Sequence, residues 1–188
     1  MKNICFPLEN EKDLENFKVG DYVLINGKVL TARDAAHKKL IEIIKAGKAL
    51  PINIKNNLIY YTGPSPTPKG KIVGSIGPTT SERMDNLTIP LLKYGLKATM
   101  GKGERGKKIV ESCKIFKAIY LITYGGCGAY LSQFVKRIRL LCFEELGPEG
   151  IYELEVINFP AIVCIDIYGN NFYDFKRYNK NSGHSSIG

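Results

Sequence analysis

The run Ala118-Ile-Tyr-Leu-Ile-Thr-Tyr124 restricts the fold more than any other feature. It is continuously apolar or aromatic apart from Thr123, and it is bounded by Lys117 and by Gly125-Gly126. Such a strand offers no face to water, so it belongs inside a sheet with structure packed on both sides. The chain has 188 residues, about one domain at roughly 150 residues each. That is long enough to bury a core without metal or disulfide staples. We expect one domain over residues 1–175 and a polar, mobile tail at 176–188 with little to bury. The longest apolar runs, 118–124 and 161–165, are strand-sized, and the first ten residues hold no apolar stretch of leader length. A cytoplasmic protein with no membrane partner is the expectation.

The remaining pattern is richer in strands than in helices. Strands are read at 22–25 and 28–31, joined by an Asn26-Gly27 hairpin turn, and at 57–62, 71–76 and 96–100. Further strands are read at 137–143, 151–158, 161–168 and 171–175. Helices are read at 34–46, stopped by Gly47, and at 104–116, with a helical region over 80–94 broken at Pro90. This mixed order predicts an α+β or layered β/β/α fold rather than a doubly wound sheet.

The five cysteines, at 5, 113, 127, 142 and 164, are an odd number with no CxxC. Their spacing matches neither a disulfide framework nor a metal-ligand set, so no metal is expected on this chain alone. Cys142 and Cys164 sit in apolar runs and read as small buried hydrophobes. The formal net charge is +9, and residues 93–117 hold eight basic against two acidic side chains. A positive field attracts nucleic acid, phosphate or a small polycarboxylate, whereas a solvated helix face needs no ligand at all. The run contains only Tyr94 and Phe116 as aromatics and no reader motif, so nucleic acid is not the expected partner.

Three segments carry more polar chemistry than a fold needs. In Thr31-Ala-Arg-Asp-Ala-Ala-His37, Thr31 and Asp34 have capping-box spacing, which puts Arg33 in the first helical turn against the dipole. An anion bound there would justify it, and His37 lies four residues on. A surface Arg33–Asp34 pair is the alternative, and both stand. In Gly74-Ser-Ile-Gly-Pro-Thr-Thr-Ser-Glu-Arg-Met-Asp85, Thr79 and Glu82 repeat the box spacing. A cap leaves Thr80 and Arg83 without a task, so an oxyanion pocket is the better reading. Gly101-Lys-Gly-Glu-Arg-Gly106 matches GxGxxG, but no acidic residue lies between Glu111 and Glu144 to hold a ribose. Lys102 there reads as an anion contact. Arg33, Arg83 and Lys102 together suit a small dicarboxylate.

These segments also form a co-linear set: GKVLTARDAAH (27–37), YYTGPSP (60–66), GSIGPTTSERMD (74–85), GKG (101–103), YGGCGA (124–129), EELGPEGIYELEVINFPAIVCID (144–166) and GNNFY (169–173). In this set the chain resembles the C-terminal domain of class I fumarases, or the separate β subunit of two-subunit fumarate hydratases and of L-tartrate dehydratase. The resemblance runs from about 13 to 173 and implies a swivelling three-layer β/β/α domain. It further implies an α subunit holding an oxygen-sensitive [4Fe-4S] cluster, an α2β2 assembly, and reversible dehydration of a 2-hydroxy dicarboxylate, malate or tartrate. Carried over, it gives Arg33, Arg83 and Lys102 the substrate carboxylates, Thr79 a substrate contact, Thr80 the proton abstraction, and Asp34 and His37 either supporting or substrate-side roles. A stand-alone anion-binding module is the competing class.

Overall fold

In the computed structural model, which describes residues 1–174, the apolar run supplies β5 (Ile119–Ile122). It is buried on both faces as its sequence requires. Ile119 and Leu121 enter one core, and Tyr120 enters another on the opposite side. The other strands are β1 (Lys2–Phe6), β2 (Tyr22–Thr31), β3 (Leu58–Tyr60), β4 (Ala98–Gly101), β6 (Val135–Cys142) and β7 (Ile151–Ile165). The helices are α1 (Asp34–Lys45), α2 (Asp85–Lys93), α3 (Lys107–Phe116) and the short α4 (Gly128–Leu131).

The architecture is mixed α/β. Strands β1 to β5 pair in parallel in chain order, and β7 runs antiparallel to β5, to β6 and to β2. Because β7 joins β5 to β2, the strands β2-β3-β4-β5-β7 form a closed circuit of pairings. Alternation then sorts the side chains. Val23, Ile25, Val29, Leu58, Tyr60, Ala98 and Met100 share one core with Leu154, Val156 and Phe159 of β7. Leu30, Ile59 and Tyr61 face the other way, onto Ala36 and Leu40 of α1 and Leu91 and Leu92 of α2. A period of two is what a strand buried on both faces demands. Helix α1 packs on α2, and α2 on α3. Among the described residues no helix is long and apolar enough to cross a membrane.

Several expectations are corrected. Asn26-Gly27 makes no hairpin. It lies within the single strand β2, where the register against β7 shifts between Ile25 and Gly27. Gly27 takes φ 90°, and a Cβ there would sit 2.2 Å from the Phe6 carbonyl oxygen. The Asn-Gly pair therefore encodes a bulge pressed against β1. Asn26 Oδ1 accepts the Asn158 N–H at 2.9 Å, and Asn158, at φ 55°, is the matching irregularity in β7. The two strands read at 151–158 and 161–168 are accordingly one. Residues 71–76 form no strand, and Asn171 makes only a lone bridge to Ile165 before a helical turn. Phe175 and the expected tail at 176–188 lie outside the described residues. Pro90 lies inside α2 without ending it, and the break in 80–94 falls instead between a 3-10 turn, Glu82–Met84, and Asp85.

Candidate active site at the carboxyl ends of the parallel strands

Strands β2, β3 and β4 run parallel and end on one edge of the sheet, and two candidate residues follow there: Arg33 after β2 and Lys102 after β4. In α/β domains, open or closed, ligands bind at the carboxyl ends of the parallel strands. The segment from Pro78 to Ser81 passes back across this edge. Tyr61 O accepts both Thr79 N–H (2.8 Å) and Thr79 Oγ1–H (3.0 Å). Lys102 N–H donates to Thr79 O at 3.2 Å, and Ser81 N–H to Lys102 O at 3.0 Å. Thr80 and Lys102 are therefore neighbours across a parallel bridge. Both are exposed, and Thr79 is half-buried. Gly101 permits this crossing, because a Cβ there would lie 2.1 Å from Ser81 Oγ and 3.0 Å from the Tyr61 ring.

Neither capping box forms. The N-cap of α1 is Arg33 itself, with no side-chain cap, and Asp34 is the first helical residue. Thr31 is buried in β2, where its Oγ1 accepts Tyr152 N–H at 3.0 Å. Thr79 is engaged with Tyr61, and the 3-10 turn after Ser81 also lacks a side-chain cap. Both threonines fell at capping spacing because strand ends and helix starts adjoin here. The neighbouring Arg33–Asp34 pair does not form either. Arg83 Nη2 meets Asp34 Oδ2 at 3.1 Å, and Arg33 Nη2 meets Glu149 Oε1 at 3.4 Å. Both pairs are partly exposed, so each is worth at most about 1 kcal/mol and yields readily to a better anion. Arg33 lies against Gly63, which the Pro148 carbonyl also approaches, and its Nε is buried without a hydrogen-bond partner. The Lys102 stem runs beside Gly125.

His37 is fully buried beneath this row. Its Nδ1 is 2.9 Å from the Arg33 carbonyl, which only accepts, so Nδ1 carries the proton. Nε2 is buried without a partner, and the ring stands edge-on to Tyr61. Burial pushes the imidazole down to about 4, helped by the Arg105 cation and opposed by the bond to Arg33 and by Asp34. His37 is thus neutral and steadies the Arg33 turn from below rather than facing a ligand. The folded state binds this proton less readily than the unfolded chain does, so the stabilisation is complete above about pH 6.5 and is lost as pH falls toward 4. We expect the loss to reach about 2 kcal/mol by pH 5 and about 3 kcal/mol by pH 4. Urea unfolding of wild type and His37→Gln across that range checks it, since the variant lacks the titrating ring and should show a shallower acid slope.

Below the row lies a network that sequence reasoning missed. Arg105 Nε meets Asp85 Oδ1 at 2.5 Å, and its side chain is wholly buried. Asp85 Oδ2 accepts Gly106 N–H at 2.7 Å at the start of α3. Arg105 Nη2 reaches Thr88 Oγ1 at 3.1 Å, and the guanidinium lies between the rings of Tyr61 and Tyr120. Arg105 counts in the basic run 93–117, and so does Lys97, which is largely buried and bonded to Glu11 and to the Phe116 carbonyl. The run is therefore not one solvated face. The only available signal was the position of Arg105 inside the literal GxGxxG.

Of the cysteines, Cys113 and Cys164 are buried, their thiols pushed up to about 12 by burial. Cys142 is only half-buried, against expectation, because its strand β6 carries partly open positions. Cys127 is exposed in the loop after β5. Among the described residues no three His, Cys, Asp or Glu side chains converge as a metal site.

A mixed α/β chain with two arginines, a lysine and two threonines on the carboxyl edge of parallel strands is suited to hold a small anion. Comparison with known proteins narrows that class. A family model described as fumarase C-terminus matches residues 2–176, and the chain belongs to that family. It is similar to a Methanocaldococcus jannaschii protein named "Putative L(+)-tartrate dehydratase subunit beta", 41% identical, with 87% of each chain covered. It is also similar to fumarate hydratase 2 of Leishmania major, 39% identical over 86% of this chain but 29% of that protein. The L(+)-tartrate dehydratase subunit beta of Escherichia coli is 34% identical, with 91% of this chain and 86% of that protein covered. The chain thus spans most of the two subunits but under a third of the Leishmania fumarate hydratase.

Proposed function

We propose that this chain is the β subunit of a two-subunit hydro-lyase that interconverts (S)-malate and fumarate, built as a swivelling three-layer β/β/α domain and active with an α subunit in an α2β2 assembly. The supporting observation is that Arg33, Arg83 and Lys102 share one sheet edge with Thr79 and Thr80. Guanidinium groups fit carboxylates in a two-pronged geometry, so Arg33 and Arg83 orient the substrate, exchanging Glu149 and Asp34 for its carboxylates. Lys102 adds a point charge beside Thr80. In dehydration the C3–H bond breaks and its proton passes to Thr80 Oγ1. The electron pair forms the C2–C3 double bond, and the C2 hydroxyl leaves as water after gaining a proton. A threonine hydroxyl is a weak base alone, and neighbouring cations favour its alkoxide. Among the described residues no group of His, Cys, Asp or Glu side chains could hold a [4Fe-4S] cluster. In this reading the α subunit holds it, and its chemistry is Lewis-acid assistance to the departing hydroxyl.

A second reading, L-tartrate dehydration, draws on the subunit-length match to the two tartrate dehydratase β subunits. The same cations would grip tartrate. Anaerobic co-expression with a cluster-bearing α subunit, followed by assays of malate and L-tartrate, decides between them. We expect fumarate from malate. Oxaloacetate from tartrate alone would replace the first reading with the second. An assembled complex that turns over neither would leave a small-anion-binding module.

A further inference from the structure

The Arg105 side chain touches Tyr61, Asp85, Thr88 and Tyr120, groups that adjoin the 79–83 segment and the loop of Lys102. Its guanidinium is bonded to Asp85 and Thr88, which follow Arg83 on the next helical turn. On one flank lies Tyr61, whose carbonyl holds both Thr79 hydrogen bonds and whose hydroxyl is 2.7 Å from Thr88 Oγ1. On the other lies Tyr120, whose hydroxyl bridges Ser81 Oγ (2.9 Å) and the Gly103 carbonyl (2.8 Å). Through Asp85 it also fixes the Gly106 N–H at the end of the loop that carries Lys102. A solvated surface arginine needs none of this, and a core needs no buried cation. Neutral packing of the same volume serves a core as well or better.

We propose that Arg105 is a positioning residue that sets the spacing between the 79–83 segment and Lys102, acting through Tyr61 and Tyr120, which hold Thr79 and Ser81, and through Asp85, which holds Gly106. Lysine cannot replace it, since a single ammonium has no fork to span Asp85 and Thr88 at once. In terms of activity this role rests on the hydro-lyase reading, but its first test does not.

In the full-length chain, Arg105→Lys should leave the far-UV spectrum unchanged. It should accelerate backbone hydrogen exchange at 79–83 and 101–106 by about tenfold or more, with β1 and β6 unaffected, because only local opening becomes easier. In the assembled enzyme, Arg105→Ala should lose about a hundredfold in kcat, the scale expected for an ångström of misplacement. Millimolar methylguanidinium should restore at least a tenth of the wild-type kcat, and methylammonium at a concentration giving the same melting temperature should not. Unchanged exchange at 79–83, or exchange raised equally everywhere, would overturn the proposal. So would equal rescue by methylammonium at the same melting temperature, since that describes a core residue. If no partner or substrate yields turnover, the hydro-lyase reading falls while the exchange result still decides the role of Arg105.

Discussion

Thr80→Val is expected to lower kcat for malate dehydration about a thousandfold, within the range that positioned acid–base groups contribute, while KM moves less than threefold. Valine keeps the shape of threonine and removes the one atom able to take the proton. Thr80 meets Lys102 through a backbone bridge, so its neighbours should stay in place when the hydroxyl goes. The exposed position of Thr80 leaves that hydroxyl open to a ligand arriving from outside the sheet edge. Thr79 is the comparison that matters. Its hydroxyl donates to the Tyr61 carbonyl, so Thr79→Val removes a bond that fixes the segment and should cost only about tenfold. Steady-state kinetics on both variants of the assembled enzyme separate the two. A thousandfold loss in Thr79→Val with a small loss in Thr80→Val would move the base to Thr79. Small losses in both would remove the hydroxyl pair from proton transfer altogether.

The sequence was most informative where a local pattern carries its own physical requirement. The run at 118–124 had to be buried on both faces, and β5 is. Arg33 and Lys102 follow the parallel strands β2 and β4, whose carboxyl ends lie on one edge, whereas the strand read at 71–76 ahead of Arg83 does not form. Reading failed where one pattern has two outcomes. Asn26-Gly27 supports a hairpin or a bulge, and only the neighbouring β1 and β7 select the bulge. Thr31 and Thr79 sit at capping distance from an acidic residue, but tertiary partners, Tyr152 N–H and Tyr61 O, take their hydroxyls first. Pairs far apart in the chain were beyond local reasoning. Nothing near Arg105 announces Asp85, 20 positions earlier, and nothing near Arg33 announces Glu149. The charge count therefore treated as solvated two cations, Lys97 and Arg105, that the fold uses internally.

That buried pair yields the largest stability effect we expect. Asp85→Asn should destabilise the chain by about 3 kcal/mol or more, because removing one partner strands a charge that burial has cut off from water. The wild-type carboxylate offers Oδ1 to Arg105 Nε and Oδ2 to Gly106 N–H. An amide has one oxygen, so its NH2 must face either the guanidinium or a backbone N–H, donor against donor. Arg105 cannot escape by losing its proton, because a guanidinium stays charged in proteins. Asp34→Asn provides the contrast. It breaks a pair of the same chemistry with Arg83, yet both partners there reach solvent, so its cost should stay below about 1 kcal/mol. Urea unfolding of the two variants at neutral pH gives the comparison. Equal costs would mean that water or another group reaches Arg105. A double replacement, Asp85→Leu with Arg105→Met, removes both charges and should recover most of the stability lost in Asp85→Asn, as apolar substitutes for buried pairs often do. If it does so while exchange at 79–83 stays fast, the charge pair is kept for the geometry of the site above it and not for the stability of the fold.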